Sequence, residues 1–342
     1  MGRLVRIPGD AELPLIGCVA FGLIDRGTNL IQVRPISGCN LNCIYCSVDE
    51  GPKSRSRISS FLVDLDYLLE WFRGLAAFKG NVNIEAHIDG AGEPMLYPWI
   101  RELVGALRGV EGVKVVSMQS NGTLIREGWI DELAELGLSR INLSVNALDE
   151  DLARKLSGTP SYDLKKILGI AEMIAESPIE LLLAPVWIPG LNDGEIPRII
   201  ELALKLRSRS KGKDKGEGDW PPLGIQKYEV HPHGRRVPGV RSPSWRGFHE
   251  MLKMWEAKYG LRLRLRPGDF QIVKTRILPQ VFKRGEKVSV KLLCRGWMKG
   301  QAIGVRDGRA ITVVGVPEDY RGTVKARIVS NKHNIYVARM IP

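Results

Sequence analysis

The stretch Ser37-Gly-Cys-Asn-Leu-Asn-Cys-Ile-Tyr-Cys46 contains three of the five cysteines in the chain. Cys39, Cys43 and Cys46 have the spacing CxxxCxxC and follow an apolar run, Leu30–Ile36, that is typical of a buried strand. Three thiolates on one loop can bind three irons of a [4Fe–4S] cube, and the fourth iron is then open to a small molecule. The sequence therefore predicts an iron–sulfur cluster on these three cysteines.

A structural zinc ion is the alternative occupant of these thiols. Zinc sites of this kind take four protein ligands, commonly from a second pair of cysteines or histidines. The nearest later histidine is His87, and the two remaining cysteines, Cys18 and Cys294, lie far apart in the sequence. An odd number of cysteines also argues against a disulfide framework. The cluster is the better hypothesis.

A second motif, Ile88-Asp-Gly-Ala-Gly-Glu-Pro94, closes the next apolar run, Val82–Ile88. Together with the cysteines and the aromatic residue before the third of them, this motif resembles the radical S-adenosylmethionine (SAM) superfamily. The resemblance implies that Gly92, Glu93 and Pro94 hold the amino group of SAM, and that the open iron binds its amino and carboxylate groups. In that family an electron from the cluster cleaves SAM to a 5′-deoxyadenosyl radical, so the cofactors carry the difficult chemistry.

Six apolar runs alternate with amphipathic helical runs. The predicted strands are Leu30–Ile36, Val82–Ile88, Val113–Met118, Arg140–Val145, Ile179–Val186 and Leu223–Val230. The predicted helices are Asp64–Phe78, Tyr97–Arg108, Arg126–Leu136, Asp163–Ala175, Glu195–Arg207 and Ser244–Tyr259. Such alternation indicates an α/β fold of parallel strands with helical crossovers, in which ligands bind at the carboxyl ends of the strands. The resemblance implies the same architecture, a partial (β/α)6 barrel.

Polar residues follow the predicted strands at that end. They are Gln119–Gly122, Ser144, Asn146, Trp187–Asn192 and His231–Arg235. By resemblance, Ser144 and Asn146 contact the ribose or the carboxylate of SAM. Ser120 has two interpretations, because together with Asn121 it either contacts SAM or caps the helix that follows.

Positive charge is concentrated in the last part of the chain. Of the formal net charge of +12, residues 281–342 contribute +9, from 13 Lys or Arg and 4 Asp or Glu. A basic module of this kind indicates a polyanionic partner, most simply nucleic acid. The alternative is a charge-rich solvated surface, as in heat-stable proteins. A basic, glycine-rich insert, Arg207–Gly218, is either a solvated loop or an arm that reaches a phosphate backbone.

Short alternating strands are predicted after residue 279, at Lys287–Leu293, Gln301–Val305, Arg309–Val314, Thr323–Ile328 and Asn334–Ala338. Short strands separated by glycines indicate a small all-β barrel. The spacing of Arg284-Gly-Glu-Lys-Val288, Gly300-Gln-Ala-Ile-Gly-Val-Arg-Asp-Gly308 and Val314-Gly-Val-Pro317 resembles the TRAM domain, an OB-like RNA-binding barrel of tRNA and rRNA modification enzymes. We therefore expect an N-terminal extension at 1–29, a radical SAM barrel at 30–278 and a TRAM-like RNA-binding domain at 279–342.

The two remaining cysteines, Cys18 and Cys294, are either small buried apolar residues or catalytic thiols. The catalytic interpretation resembles the radical SAM methyl synthases of RNA adenine. In those enzymes one cysteine accepts a methyl group from a first SAM. The radical from a second SAM abstracts hydrogen from this S-methyl group, and the resulting carbon radical attacks the substrate. By this resemblance Cys294 is the methyl carrier and Cys18 helps to release the product. The C-terminal barrel must then lie over the mouth of the catalytic barrel.

The combined motifs predict an enzyme that methylates an unreactive carbon of RNA, with tRNA as the expected substrate. A specific candidate reaction converts threonylcarbamoyladenosine to its hydroxynorvalyl form. Sulfur insertion by a tRNA methylthiotransferase is a second hypothesis, but those enzymes carry three further cluster cysteines before the barrel, where this chain has only Cys18. A non-catalytic RNA-binding iron–sulfur protein is a third hypothesis, and a radical SAM enzyme that modifies a peptide or small molecule is a fourth.

Composition and hydropathy indicate where the protein works. Hydrophobic residues make up 44% of the chain and charged residues 26%, as in ordinary globular proteins with a sizeable core. The longest apolar stretches, near Pro14–Ile24 and Ile179–Leu191, are shorter than the ~20 residues that span a bilayer. Asp10 and Glu12 precede the first stretch and do not suit a secretory signal. We expect a cytoplasmic protein with RNA and an electron donor for the cluster as partners, and without a membrane partner.

Overall fold

The structure is a computed structural model that describes residues 2–209, 220–318 and 320–342. Most of the insert Arg207–Gly218 lies outside these residues. The strands are β1 Arg3–Ile7, β2 Gly22–Asp25, β3 Leu30–Arg34, β4 Ser37–Gly38, β5 Ser59–Val63, β6 Ile84–Ile88, β7 Ala91–Gly92, β8 Val113–Ser120, β9 Arg140–Leu143, β10 Glu180–Leu183, β11 Val186–Trp187, β12 Gln226–Lys227, β13 Lys287–Arg295, β14 Gln301–Arg306, β15 Arg309–Val314, β16 Gly322–Ser330 and β17 Val337–Met340. The helices are α1 Leu65–Phe78, α2 Ile100–Arg108, α3 Glu127–Glu135, α4 Glu150–Ser157, α5 Leu164–Glu176, α6 Glu195–Arg209 and α7 Trp245–Tyr259. In these described ranges no helix combines the length and the apolar character needed to cross a membrane.

Packing divides the chain into two compact units. The first consists of Met1–Asn40, Glu50–Lys114 and Lys274–Pro342, and the second of Leu41–Asp49 and Val115–Val273. Internal contacts thus group the last part of the chain with its first strands. The segments predicted from the sequence are continuous stretches of chain, and their boundaries stay a prediction.

In the first unit, β2, β3 and β6 are neighbouring strands. β3 and β6 run parallel with Leu30 opposite Glu85, and β2 runs antiparallel to β3 with Gly22 opposite Arg34. Five apolar side chains of β3 and β6 are buried, namely Ile31, Val33, Ile84, Ala86 and Ile88. At the carboxyl ends of β3 and β6 the chain continues into β4 and β7, which pair with each other in parallel. This pairing brings the start of the cysteine motif next to the glycine–glutamate–proline motif.

The last five strands of the first unit close into a barrel in the order β13-β14-β15-β17-β16. Its core consists of buried side chains from these strands and their connections, including Phe282, Val290, Leu292, Ile311, Val313, Val324, Ile328 and Tyr336. The prediction of a small C-terminal barrel is confirmed. Its identity as a TRAM domain stays a prediction.

The segment around Gly17 adds to the outside of this barrel. Ala310 N donates to the Ile16 carbonyl and Tyr336 N donates to the Gly17 carbonyl, both at 2.8 Å. Gly17 has a φ of 127°, and a Cβ at this position would lie 2.0 Å from the Ala310 carbonyl oxygen. Position 17 therefore accepts only glycine. Since β1 also pairs with β5, the predicted N-terminal extension is integrated into the unit.

A buried ion pair anchors the chain that leads into the barrel. Lys79 Nζ lies 2.7 Å from Asp25 Oδ1, and both side chains are only 1% exposed. Lys79 also donates to Thr275 Oγ1 and to the Arg276 carbonyl, and Leu278 N donates to the second oxygen of Asp25. Buried charges of this kind are tolerated because they are paired and fully hydrogen-bonded.

In the second unit, β8, β9 and β10 are neighbouring parallel strands, with Ser120 and Leu183 both opposite Leu143. Helices α4, α5 and α7 each begin at a side-chain cap, formed by Asp149, Asp163 and Ser244. Each cap accepts a bond from a backbone N–H that would otherwise lack an intrahelical partner. Every predicted strand and helix before residue 260 has an observed counterpart, and α4 is an additional helix.

Candidate iron–sulfur and SAM site

Gly92 lies against the backbone that leads into Cys39. Gly38 and Gly92 are opposite each other in the β4–β7 pair, and Glu93 N donates to the Gly38 carbonyl at 2.8 Å. The φ of Gly92 is 144°, and a Cβ there would lie 1.7 Å from the Gly38 carbonyl oxygen. Glycine is required at position 92 because the two backbones touch.

Glu93 is fixed by the turn that it begins. Its side chain is buried, and its Oε1 accepts a hydrogen bond from Met95 N at 3.0 Å. Pro94 occupies the first position of the short 3₁₀ helix Pro94–Leu96, where no backbone N–H is needed. A carboxylate held in this way is a good acceptor for an ammonium group. The arrangement therefore suits the predicted contact with the amino group of SAM.

In the second unit, Cys43 and Cys46 lie one turn apart. Cys46 N donates to the Cys43 carbonyl at 3.1 Å. Burial, followed by the neighbouring Cys46, raises the pKa of the Cys43 thiol to about 11, while a hydrogen bond from Tyr45 and the charge of Arg235 act in the opposite direction. Iron coordination removes the proton from such a thiol, as metal ions do for any ligating cysteine.

The cysteine loop is also held by the end of α4, a helix that is not among those predicted from the sequence. Asn42 N donates to the Ser157 carbonyl and Ile44 N to the Leu156 carbonyl, both at 3.0 Å. Gly158 ends the helix with a φ of 61°, and a Cβ there would lie 2.1 Å from the Asn42 carbonyl oxygen. The capping residue Asp149 and the terminal Gly158 are the sequence signals that mark this helix.

Arg235 makes three contacts with the same loop. Its backbone N donates to the Cys46 carbonyl at 2.8 Å, and its Nη1 donates to the Cys43 carbonyl at 3.1 Å. Its Nε lies 2.8 Å from Asp49 Oδ1. The segment 231–235 is predicted at the strand ends, but no role is predicted for Arg235, because the distance in sequence between it and the cysteines hides the contact.

The polar residues at the ends of β8 and β9 hydrogen-bond within the protein. Ser120 Oγ accepts from Gly122 N at 3.0 Å, as expected of a residue that fixes a turn. Ser144 Oγ accepts from Gln119 Nε2 at 3.1 Å. Asn146 Oδ1 accepts from Val186 N at 2.8 Å. Ser120 and Ser144 lie on adjacent strand ends, while the side-chain oxygen of Asn146 is engaged in joining β9 to β11. Their predicted contacts with SAM stay predictions.

Cys18 and Cys294 both lie in the first unit, with strand β14 between Cys294 and the Thr312 that Cys18 contacts. Cys294 is opposite Ile303, and Ile303 is opposite Thr312 on the next strand. Cys18 Sγ lies 4.0 Å from Thr312 Oγ1. Burial, followed by the charge of Cys18, raises the pKa of Cys294 to about 12, and Arg321 acts in the opposite direction. The fold thus places both cysteines at the same three barrel strands, β13, β14 and β15, although the sequence linked them only by resemblance.

The donor set fits an iron–sulfur cluster. The three motif cysteines supply three soft thiolates, which suit iron in a cube with one thiolate on each of three irons. Among the described residues, no three His, Cys, Asp or Glu side chains lie close enough to share one metal ion. A cube does not require this, because each thiolate binds its own iron.

Comparison with known proteins identifies the family. The family model of the radical SAM superfamily matches residues 33–203, which is half of the chain. Uncharacterized protein MJ0103 of Methanocaldococcus jannaschii is 45% identical over 97% of this chain and 80% of its own length. GTP 3′,8-cyclase of Alkaliphilus oremlandii is 30% identical over 53% of this chain and 54% of its own length. The chain therefore spans about half the length of this cyclase.

A solved structure supports the fold. Streptococcus suis SuiB bound to precursor peptide SuiA has a TM-score of 0.50 and 18% sequence identity, and the match covers 70% of this chain and 48% of SuiB. At this identity the likeness concerns the fold alone. Members of the matched family use a [4Fe–4S] cluster and SAM, and the cysteine and glycine–glutamate–proline motifs lie within the matched residues. The chain belongs to the radical SAM superfamily.

Proposed function

We propose that this radical SAM enzyme methylates an unreactive carbon of RNA, with tRNA as the expected substrate, Cys294 as the methyl carrier and Cys18 as its partner. The observation that carries the proposal is the position of the two cysteines within the first unit. Gly22 is paired with Arg34, the last residue of β3, and Arg34 donates to the Val19 carbonyl. Cys18 therefore lies at the carboxyl end of β3, the end at which β4 and β7 also begin.

The C-terminal barrel is attached at this same end of β3. Ile16 and Gly17, immediately before Cys18, hydrogen-bond to Ala310 and Tyr336 of the barrel. Arg34 also contacts Asp89 through a salt bridge of 2.9 Å, four residues before Glu93. Within the first unit, the barrel that carries Cys294 thus adjoins the end that carries the SAM motif. This position within the first unit supports the methyl-carrier hypothesis, which needs the C-terminal barrel over the mouth of the catalytic barrel.

Methyl transfer to Cys294 requires that its thiol first loses a proton. Bound SAM supplies the methyl group and, after one-electron reduction by the cluster, the 5′-deoxyadenosyl radical. A thiol accepts a methyl group as the thiolate, so Cys294 must lose its proton against a pKa of about 12. The charge of Arg321 lowers the pKa of Cys294 and so favours the thiolate, against the larger effect of burial.

A row of cations on the barrel supports RNA as the substrate. We define the basic face as Lys287, Lys325, Arg327 and Arg339, all exposed on β13, β16 and β17. Lys287 is directly opposite Arg327, and Arg327 is directly opposite Arg339. Like charges opposite each other destabilise a sheet. A phosphate backbone bound along this row would remove the repulsion and release counterions.

Three other cations of the barrel have acidic neighbours, unlike those of the basic face. Lys291 pairs with Glu12, Lys299 with Glu318 and Arg306 with Asp307. Within the described residues, no carboxylate lies at ion-pair distance from Lys287, Lys325 or Arg339. The outward positions between them are neutral, at Ser289 and Thr323. This composition favours sequence-independent contact with phosphates over base stacking.

An anaerobic assay tests the proposal. The reconstituted enzyme is given dithionite, SAM with a labelled methyl group and bulk tRNA, and 5′-deoxyadenosine and RNA-bound label are followed together. We expect both products from the wild type, and 5′-deoxyadenosine without labelled RNA from Cys294→Ala. Ser161→Ala, at an exposed position outside the barrel, is the matched control and keeps both products. Labelled RNA from Cys294→Ala would overturn the carrier assignment.

Binding of RNA is tested separately from chemistry. Lys287→Glu/Lys325→Glu/Arg339→Glu should lower the slope of log affinity against log salt by about 2–3, because each lost phosphate contact contributes about 0.7–0.9. The control variant carries glutamate in place of three exposed lysines outside the barrel, Lys114, Lys155 and Lys253. Its net charge equals that of the test variant. Equal loss of tRNA affinity in both variants would contradict a specific basic face.

The nucleoside product is tested in cells. Nucleosides of tRNA from a deletion strain are compared by mass spectrometry with those of the parent strain. Loss of the hydroxynorvalyl nucleoside, with an increase in threonylcarbamoyladenosine, is the expected result. An unchanged hydroxynorvalyl level would remove that product, and a different missing methylated nucleoside would identify the actual one.

A further inference from the structure

We propose that Arg235 is a positioning residue for the iron–sulfur cluster, and that together with Asp49 it sets the reduction potential of the cluster. The inference concerns electron delivery and is independent of the RNA substrate. It rests on the contacts of Arg235 with the cysteine loop and on the balance of charge beside that loop.

The contacts restrain both cysteines of the second unit. Arg235 bonds to the carbonyls of Cys43 and Cys46, which are themselves joined by the bond from Cys46 N to the Cys43 carbonyl. The guanidinium is a planar fork, so one side chain can hold the Cys43 carbonyl and the Asp49 carboxylate in fixed directions. A lysine has a single charged nitrogen on a flexible stem and cannot reproduce both directions.

The chain around Arg235 is built for this close approach. A Cβ at Gly234 would lie 2.7 Å from the Ser47 carbonyl oxygen and 2.9 Å from the Cys46 carbonyl oxygen. Gly234 N donates to the His231 carbonyl at 3.1 Å, which closes a turn. The absence of a side chain at position 234 therefore lets the segment pack directly on the loop, with Arg235 at its point of contact.

The ion pair of Arg235 and Asp49 places a positive and a negative charge beside the cysteine loop. Arg235 Nε lies 2.8 Å from Asp49 Oδ1, and the two side chains are 16% and 7% exposed. Solvent therefore screens them little. Reduction adds a negative charge to the cluster, so a nearby cation stabilises the reduced state and a nearby anion destabilises it. Removing Arg235 takes away the cation and also leaves the Asp49 carboxylate without this partner.

Removing the charge of Arg235 and removing the charge of Asp49 should shift the reduction potential of the cluster in opposite directions. Arg235→Met should make the midpoint potential more negative, and Asp49→Asn should make it less negative. Asparagine suits position 49 because Asp49 has a φ of 52°, a conformation that asparagine adopts readily. The double variant, which carries neither charge, should fall between the two single variants.

The rate at which the cluster loses iron distinguishes the positioning role of Arg235 from the effect of its charge. Changing a residue that orients a metal ligand typically costs about 10- to 100-fold in metal affinity, and Arg235→Met should lose iron to a chelator faster by a comparable factor. Arg235→Lys keeps the charge but not the fork, so it should lose iron faster while its potential stays near that of the wild type. Arg236→Met is the matched control, since Arg236 is the next residue in the chain and is exposed.

The experiment is an EPR-monitored redox titration of the reconstituted full-length protein without RNA, together with iron and sulfide content and chelator kinetics. Circular dichroism of each variant before reconstitution shows whether it is folded. Opposite shifts in Arg235→Met and Asp49→Asn establish the proposal. Wild-type potential and retention in a folded Arg235→Met would overturn it. If that variant does not fold, a potential in Asp49→Asn that is unchanged or more negative would overturn it as well.

Discussion

Trp297 Nε1 donates a hydrogen bond to Glu50 Oε1 at 2.5 Å, and both side chains are buried. The guanidinium of Arg57 lies 3.6 Å from the centre of the Trp297 ring, and Ile58 N donates to the Trp297 carbonyl at 3.0 Å. The turn between β13 and β14 is thus fixed on residues 50–58, immediately after the cysteine loop in sequence. Since Cys294 lies near the end of the same strand, Trp297 also fixes the position of the proposed carrier.

Trp297→Phe tests this attachment. The substitution keeps an aromatic ring beneath Arg57 but removes the bond to Glu50, whose buried oxygen loses a donor. We expect a loss of about 1–3 kcal/mol in the free energy of unfolding, measured by urea denaturation. Trp245→Phe is the control, because Trp245 is 60% exposed, and should change stability by less than about 0.5 kcal/mol. Equal effects would show that the bond contributes nothing.

Gly92→Ala should disrupt the SAM motif. A methyl group at position 92 would collide with the Gly38 carbonyl, so β4 and β7 must separate and Glu93 must move. A displacement of about 1 Å can lower activity by about 100-fold. SAM binding by equilibrium dialysis and formation of 5′-deoxyadenosine measure the effect. Gly90→Ala, whose nearest contact would be an ordinary 3.4 Å, should retain both. Wild-type SAM binding in Gly92→Ala would contradict the close approach.

The buried pair of Lys79 and Asp25 should dominate the stability of the first unit. Lys79→Met leaves the Asp25 carboxylate buried without its cation, which costs about 3–5 kcal/mol in the free energy of unfolding. Asp25→Asn/Lys79→Met should recover part of this loss, because no buried charge remains and the amide oxygen still accepts one backbone N–H. Chemical denaturation measures both variants.

The control for this pair is Arg154→Met. Arg154 forms ion pairs with Glu150 and Asp151 at the surface, where its side chain is 41% exposed. An exposed pair contributes about 0–1 kcal/mol. A Lys79→Met variant as stable as Arg154→Met would show that the linking segment is held by other contacts.

The reactivity of Cys294 should depend steeply on pH. Burial raises its pKa to about 12, so the thiolate fraction rises about tenfold for each pH unit between pH 8 and pH 11. Alkylation of native protein by iodoacetamide, followed by mass spectrometry of the Cys294 peptide, should show this slope. In urea, alkylation of the same peptide should reach a plateau near pH 9, because an unperturbed thiol has a pKa of about 8.5. A plateau near pH 9 in native protein would contradict a raised pKa.

Much of the fold could be predicted from the sequence because its elements carry strong local signals. The prediction of a helix at Ser244–Tyr259 matches α7 at Trp245–Tyr259, since Ser244 caps the helix and Gly260 ends it. The strand predicted at Arg309–Val314 has the observed bounds. The predicted strand Asn334–Ala338 is shifted to Val337–Met340, because Lys332–Asn334 forms a short helical turn instead.

Only the parts of the site that are formed by residues close together in the sequence could be predicted. The CxxxCxxC and Gly-Glu-Pro motifs are local in sequence, and the structure joins their backbones at Gly38 and Gly92. The contact of Arg235 with Cys43 links residues 192 positions apart, which no periodicity or spacing reveals. The same holds for the approach of Cys18 to the barrel. Long-range packing decides these contacts, and local propensity carries no information about them.

The hydrogen bonds that attach Ile16 and Gly17 to the barrel affect the order in which the protein folds. Cys18 and Thr312, which come together beside Gly17, are 294 residues apart in the chain. Contacts between such distant residues form slowly, because closing a long loop costs entropy before the contact can stabilise it. During synthesis the segment around Gly17 emerges long before the strands that receive it. Until the ribosome has completed β15 and reached β17, Ile16 and Gly17 lack their hydrogen-bond partners Ala310 and Tyr336.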